Sequence, residues 1–190
     1  MVCIAMVAGE ASSDQLGAHL ISALRLHLPD ARFHGIGGPK MQREGFESHW
    51  PAEMLAVRGY AEVLRHYRAI TRVRRQLLRR LLRERPDVFI GVDGSDFNLW
   101  LERRLKAAGI PTIHFVSASI WAWRKQRMNK IIQAVSHILA LFPFEPELYR
   151  DTPVKCSYVG HPLADMIPLQ MDQRAVRERL GVALDRPVIA

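Results

Sequence analysis

Two cysteines in 190 residues, Cys3 and Cys156, are too few for a disulfide framework, so the expected compartment is a reducing cytosol. Both fall in expected strands and read as small buried apolar residues. No stretch approaches the roughly eighteen apolar residues needed to span a bilayer. The N-terminal apolar run ends by Ala8, with Glu10 close behind and no basic segment before it, which is too short for a secretory signal. Also missing are the GxGxxG dinucleotide pattern, the P-loop, and any RRM, KH, zinc-finger or helix-turn-helix signature. These absences exclude disulfide-stapled and membrane-spanning classes and leave nucleic-acid binding without a module. What is abundant is apolar and basic: 48% hydrophobic residues and 27 Lys+Arg against 19 Asp+Glu, a net charge of +8. Such a chain can bury a sizeable core, and its charge suits an anionic partner.

The segment from Pro86 to Lys106 organises the rest. Asp87 to Val92 is a short apolar run bounded by turn formers, the pattern of a strand buried on both faces. Asp93 follows at its C-terminal end, Gly94 and Ser95 turn the chain, and Phe97, Trp100, Leu101, Leu105 and Ala108 recur at helical spacing. In open α/β sheets ligands bind outside the carboxyl ends of the strands, so a carboxylate there is placed to meet substrate. The competing structural reading is that Asp93 caps the next helix or pairs with an arginine.

Other strand ends repeat this arrangement. The strand Val2 to Ala8 leads into Gly9-Glu10-Ala11-Ser12-Ser13-Asp14, ahead of a helix whose exposed N–H groups favour anions or hydroxyl-rich ligands, unless Ser12, Ser13 or Asp14 only caps it. A second strand, Arg32 to Ile36, opens into Gly37-Gly38-Pro39-Lys40, where paired glycines let backbone approach a ligand beside a cation. Met54 to Val57 reads as a further short strand. From Gly59 to Arg85 a helical stripe of Val63, Leu64, Tyr67, Ile70, Leu77, Leu78, Leu81 and Leu82 is flanked by Arg65, Arg68, Arg72, Arg75, Arg79 and Arg83. That is an amphipathic basic helix, either solvated on one face or drawn to phosphates and anionic lipid. The strand Pro111 to Val116 leads to Ser117, Trp121, Trp123 and Arg124, a platform for a sugar face or acyl chain unless the indoles are core. His137 to Leu141 and Lys155 to Val159 complete the strands, and His161 and Asp165 follow the last. His161 is a general acid or base or, more commonly for a histidine beside proline, a structural hydrogen-bonder.

At least six strands alternating with helices argue an α/β fold with a doubly wound, Rossmann-like parallel sheet. The pattern changes after Pro168: residues 1–168 read as one complete domain, and 169–190 as a linker helix from Asp172 to Leu180 and the first strand, Arg186 to Ala190, of a second.

Six segments together, AGEASSDQLGAHLI at 8–21, GIGGPKMQREG at 35–45, PDVFIGVDGSDFN at 86–98, IHFVSASIWAWRKQR at 113–127, LALFPFE at 139–145 and YVGHPLAD at 158–165, resemble the lipid A disaccharide synthases, a family of bacterial glycosyltransferases. The match runs through nearly the whole chain in order. It implies a two-domain GT-B architecture needing no metal or other cofactor. It also implies transfer of 2,3-diacylglucosamine from UDP to the 6-hydroxyl of 2,3-diacylglucosamine 1-phosphate, with UDP released. With lipid substrates, the enzyme is expected peripherally at the cytoplasmic face of the inner membrane, on an anionic surface, with no nucleic-acid partner and with a homo-oligomer allowed. The resemblance makes Asp93 the base, and has Glu10, Ser12 and Asp14 orient the acceptor and Asn98 support the Asp93 loop. Gly37, Gly38 and Lys40 accommodate phosphate, Ser117, Trp121, Trp123 and Arg124 line the acceptor side, and His161 and Asp165 belong to the interdomain edge. Two departures stand in presumed ligand loops, Ser13 where the family usually has glycine and Ala118 where it has proline. A UDP-N-acetylglucosamine 2-epimerase of the same fold and a basic nucleic-acid-binding domain are the competing readings.

Overall fold

The structure, a computed structural model, describes residues 1–55, 60–117 and 127–188. The chain divides into two compact units, Met1–Gly160 and His161–Ala190, whereas the sequence pattern changes only at Pro168.

The first unit is one sheet of seven parallel strands: β1 (Cys3–Ala8), β2 (Arg32–Ile36), β3 (Glu47–Trp50), β4 (Val88–Val92), β5 (Thr112–Phe115), β6 (His137–Ala140) and β7 (Lys155–Tyr158). Their spatial order is β3-β2-β1-β4-β5-β6-β7, so the winding reverses between β1 and β4. Chain order then requires a crossover for each return, because parallel neighbours cannot be joined by a tight turn; that from β6 to β7 is a 3-10 turn, Glu145–Tyr149, and the others carry α-helices. Among the described residues of this unit the α-helices are α1 (Ala11–Arg25), α2 (Pro39–Arg43), α3 (Tyr60–Glu84), α4 (Ser95–Ala107) and α5 (Arg127–Ala134).

Period-two alternation along each central strand sorts the core into two layers. Ile4, Met6, Phe33, Ile90, Val92 and Phe115 pack under α1 and α2 with Ile21 and Met41. On the opposite face Ala5, Val7, Ile36 and Phe89 pack under α3 and α4 with Val73, Leu77, Leu81, Leu101 and Leu105. A satellite cluster around Ile131, Val135, Ile138 and Tyr149 fills the α5 end. The seam between α3 and α4 is closed by Trp100, whose ring lies 4.2 Å from the Arg74 guanidinium and 3.6 Å from that of Arg104.

Several expectations change. Of the strand foreseen at Met54 to Val57, Met54 instead ends a 3-10 turn, Ala52–Met54, and 56–57 lie outside the described residues. The edge strand is β3 instead, whose polar sequence ESHW carries no apolar alternation because it pairs only with β2. On α3, Tyr67 and Leu82 are exposed, and Val73 takes the buried position between Ile70 and Leu77; the side chains of Val63 and Leu64 lie outside the description. Cys3 and Cys156 are half-buried rather than core, and both are free thiols.

The second unit holds two short helices, α6 (Pro162–Met166) and α7 (Gln173–Leu180), neither of which buries a residue. Asp172 caps α7 by accepting from the Ala175 N–H at 3.0 Å, and Gly181 ends it in the left-handed conformation. Residues 186–188 carry no strand, and 189–190 lie outside the described residues.

Gly35 shows how tightly β1 and β2 meet. Its φ is +139°, and a Cβ there would lie 2.1 Å from the Met6 carbonyl oxygen. Gly35→Ala should therefore destabilise the domain by at least about 1–3 kcal/mol, read as a lower urea midpoint at unchanged m-value.

Candidate functional site

The reversal of winding leaves a crevice between the carboxyl ends of β1 and β4, where neighbouring crossovers leave to opposite faces. Glu10 and Ser12 emerge from β1, and Asp93 from β4. Glu10 and Ser12 are exposed; Asp93 is half-buried.

Asp93 has a backbone that few non-glycine residues adopt. Its φ is 52°, with Gly94 next to it at 53°. A left-handed aspartate costs on the order of 1–2 kcal/mol, so it persists only where its surroundings hold it. They do: its N–H donates to the Phe115 carbonyl at 2.8 Å and its own carbonyl accepts from Asn98 Nδ2 at 2.7 Å. Asn98 is 1% exposed, and the same amide reaches the Val7 and Val92 carbonyls at 3.4 Å each. One side chain therefore links the ends of both strands that flank the crevice. At the next strand end, Val116 has φ 80°, a conformation rarer still for a β-branched residue.

Behind Asp93 lies a buried ion pair that sequence reasoning missed. His114 Nδ1 is 2.7 Å from Glu102 Oε1, with side chains 2% and 0% exposed. Gly91 makes room for it, since a Cβ there would lie 2.2 Å from Glu102 Oε1. Gly91 and His114 are cross-strand neighbours. The signals were a glutamate on the inner face of α4, a glycine in the facing strand and a histidine in an apolar run. Burial pulls the His114 imidazole down, but the charge and hydrogen bond of Glu102, with a smaller attraction from Asp93, outweigh it and leave the pKa above 6.5.

The β1 loop is held from within. Ser13 Oγ accepts from the Glu10 N–H and donates to the Glu10 carbonyl, both at 2.9 Å, so serine at this position closes the first turn of α1 onto its N-cap, Glu10. Asp14, 3% exposed, turns away from the crevice: Oδ1 accepts from the N–H of Gly38 at 2.9 Å and Met41 at 3.0 Å, and Oδ2 from Lys40 at 2.9 Å. It caps the start of α2.

Gly37, Gly38 and Lys40, at the start of α2, are bound from within the protein. The Gly38 and Lys40 amides donate to Asp14, and the Gly37 N–H donates to Ser48 Oγ at 3.2 Å. Gly38 is glycine because a Cβ would stand 2.5 Å from Asp14 Oδ2. The Lys40 ammonium bonds Gln15 Oε1 at 2.7 Å.

Ser117 is also turned inward, 5% exposed, with Oγ 2.8 Å from the Tyr149 hydroxyl; burial pushes that phenol up to about 12. Trp121, Trp123, Arg124 and Ala118 lie outside the described residues. His161 and Asp165 fall in the second unit, where His161 is the N-cap of α6 and its Nδ1 accepts from the Leu163 N–H at 3.2 Å, while Asp165 is exposed. The crevice thus gathers Glu10, Ser12, Asp93 and Asn98.

Fold and crevice together define a Rossmann-like domain with its ligand edge at a topological switch point. MurG from Acinetobacter baumannii shares this fold at a TM-score of 0.54 and 14% identity, covering 95% of this chain and 54% of that one, a likeness of fold alone. The family is settled by sequence. The lipid-A-disaccharide synthetase family profile matches residues 4–190, and the chain belongs to that family. The lipid-A-disaccharide synthase of Dechloromonas aromatica (strain RCB) is 62% identical over 189 residues, covering 100% of this chain and 50% of that protein. That of Azoarcus sp. (strain BH72) is 60% identical over 187 residues, covering 98% and 48% respectively. The chain therefore spans about half the length of the curated relatives it matches.

The His114–Glu102 pair predicts a pH dependence. A histidine whose folded pKa is raised contributes stability that is fully present below its unfolded value of 6.5 and is lost as pH rises through the folded pKa. Urea midpoints should accordingly fall as pH rises above 6.5. Glu102→Gln, which removes the charge that raises the imidazole, should flatten that slope.

Proposed function

We propose that this domain is the acceptor-binding half of a glycosyltransferase that makes lipid A disaccharide. The full reaction moves 2,3-diacylglucosamine from its UDP carrier to the 6-hydroxyl of 2,3-diacylglucosamine 1-phosphate. The observation that carries the reading is the left-handed Asp93 at the β4 end of the crevice, pinned through both of its backbone groups.

Inverting transfer needs a base to take the acceptor hydroxyl proton as the anomeric carbon passes through an oxocarbenium-like state and UDP departs. Asp93 is that base. Its strained backbone holds a half-buried aspartate at the carboxyl end of β4, and Glu10 and Ser12 at the end of β1 offer polar groups to the acceptor sugar. Asn98 keeps the two strand ends in register, so the base and the acceptor loop move as one body. The nucleotide of the donor binds chiefly to the half of the relatives' length that this chain does not span.

The lipid substrates call for a membrane surface, and α3 offers one. Arg68, Arg72, Arg75 and Arg79 are exposed and fall at i, i+4, i+7 and i+11, a single stripe about 16 Å long. They line an open groove of about 1080 Å³ together with Trp50, Met54 and Tyr67, of which Tyr67 is 57% exposed. Arginines flanking exposed aromatic and apolar groups suit anionic headgroups above an acyl boundary. Among the described residues no helix is long and apolar enough to cross a membrane. We place the enzyme peripherally on the cytoplasmic face of the inner membrane.

Two experiments test this reading. In an enzyme carrying this chain at the length of its relatives, Asp93→Asn should lower turnover by roughly 10²–10⁴-fold while circular dichroism and the urea midpoint stay close to the parent's. Near-normal turnover would remove Asp93 as the base. For the surface, Arg72→Gln and Arg75→Gln should each weaken binding to phosphatidylglycerol vesicles by about fivefold, or about 1 kcal/mol, and salt should erase the difference. Equal binding to neutral and anionic vesicles would count against the stripe.

A further inference from the structure

A second cluster of chemically capable side chains lies at the other edge of the sheet. His34 stands in β2 and His49 in β3, and Glu84 is the last residue of α3. His34 Nδ1 is 3.2 Å from His49 Nε2 and 3.7 Å from Glu84 Oε2, and these three ligand atoms lie within 4.8 Å of one another. We propose that His34, His49 and Glu84 form a binding site for one divalent cation of the zinc type, which clips β2 and β3 to the C-terminal end of α3.

The spacing fits the chemistry. In a tetrahedral zinc site with bonds of about 2.0–2.1 Å to nitrogen, adjacent ligand nitrogens are separated by about 3.3 Å. The His34 to His49 separation already matches that, and a small rotation of Glu84 closes the rest. Two imidazoles and one carboxylate form the borderline donor set that zinc prefers, with the fourth position left to water.

The surrounding contacts favour the same assignment. A metal-bound histidine gives its other ring nitrogen to an outer partner. Here His34 Nε2 lies 3.3 Å from Cys3 Sγ, and His49 Nδ1 lies 3.6 Å from Glu47 Oε1. With protons on those outward nitrogens, the inward nitrogens are bare and face each other beside a carboxylate oxygen. Three converging Lewis bases repel unless a cation joins them. The second oxygen of Glu84 is held by Arg80 Nε at 2.8 Å, which fixes the first toward the histidines. The His34 side chain is fully buried and that of His49 is 7% exposed, while Glu84 at 27% gives the ion its way in.

The site is remote from the crevice. Cys3 and Glu47 begin their strands and Glu84 precedes β4, whereas Asp93 follows β4 at the opposite edge. The cation's role is to hold the β2–β3 margin, not to take part in transfer.

The test uses the 190-residue chain, freed of any histidine tag and of metal by chelation. Zinc titrated against a chromophoric chelator should bind once per chain and raise the melting temperature. Glu84→Gln, which keeps its shape, and His49→Gln should each weaken zinc by more than the about 10–100-fold that loss of an outer partner costs. Both should fold with melting temperatures, measured without metal, near the parent's. Cobalt should give the strong visible absorption of four-coordination without a thiolate-to-metal band, and Cys3→Ser should leave that spectrum unchanged. Zinc binding that is absent, or equal in parent and Glu84→Gln, would overturn the site and leave the histidines as a hydrogen-bonded pair. A thiolate band would overturn the ligand set.

Discussion

The Asn98 amide is the contact on which the crevice depends. It reaches across the one place in the sheet where the winding reverses and takes the carbonyls of Val7, Val92 and Asp93. Strand ends at a switch point diverge to opposite faces and leave carbonyls without ladder partners, so a buried donor there both satisfies the backbone and sets the gap. The left-handed Asp93 follows from this. Its carbonyl can face Asn98 only because the chain turns left at that residue, and Gly94 continues the turn without a Cβ to obstruct it. Strain in the loop and order in the crevice are therefore one arrangement.

Asp14 does on the β1–β2 side what Asn98 does in the centre. One carboxylate receives three backbone N–H groups from a segment more than twenty residues away, so the polar loop after β1 and the glycine loop after β2 form a single rigid rim. Charge-assisted bonds to backbone are among the stronger contacts available to a protein. Here a resident anion takes the amides at the start of α2, and the rim owes its glycines to that close approach.

Much of this was legible in the sequence and some was not, for identifiable reasons. Strands buried on both faces announce themselves as apolar runs, which is why β1, β4, β5 and β6 and the position of Asp93 at a strand end could be read directly. The edge strand β3 could not, because ESHW is polar, has only β2 to pair with and shows no apolar alternation. Asp14 looked like a loop residue with a ligand role because its amide partners are distant in sequence. Glu102 and His114 look ordinary one at a time, and only the parallel register that puts Gly91 beside His114 shows why a glycine interrupts β4. Nor does composition signal that Asp93 and Val116 have positive φ; tertiary contacts impose it. The relatives' names and the six matching segments identify the family more surely than any single residue, whereas the part each side chain plays had to come from its contacts.

The arginine stripe of α3 has a geometric consequence. A crossover helix between parallel strands runs antiparallel to them, so the line from Arg68 to Arg79 lies roughly along the strand axes, with Arg68 nearer the crevice. A flat surface touching the whole stripe is therefore nearly parallel to the strands, and the sheet lies on its side rather than standing on its ligand edge. In that posture the mouth between β1 and β4 opens along the plane, like a drawer at floor level. Under the membrane contact proposed above, an amphiphilic substrate would reach the mouth by lateral diffusion with its tails still immersed, and only its head group would lift into the protein.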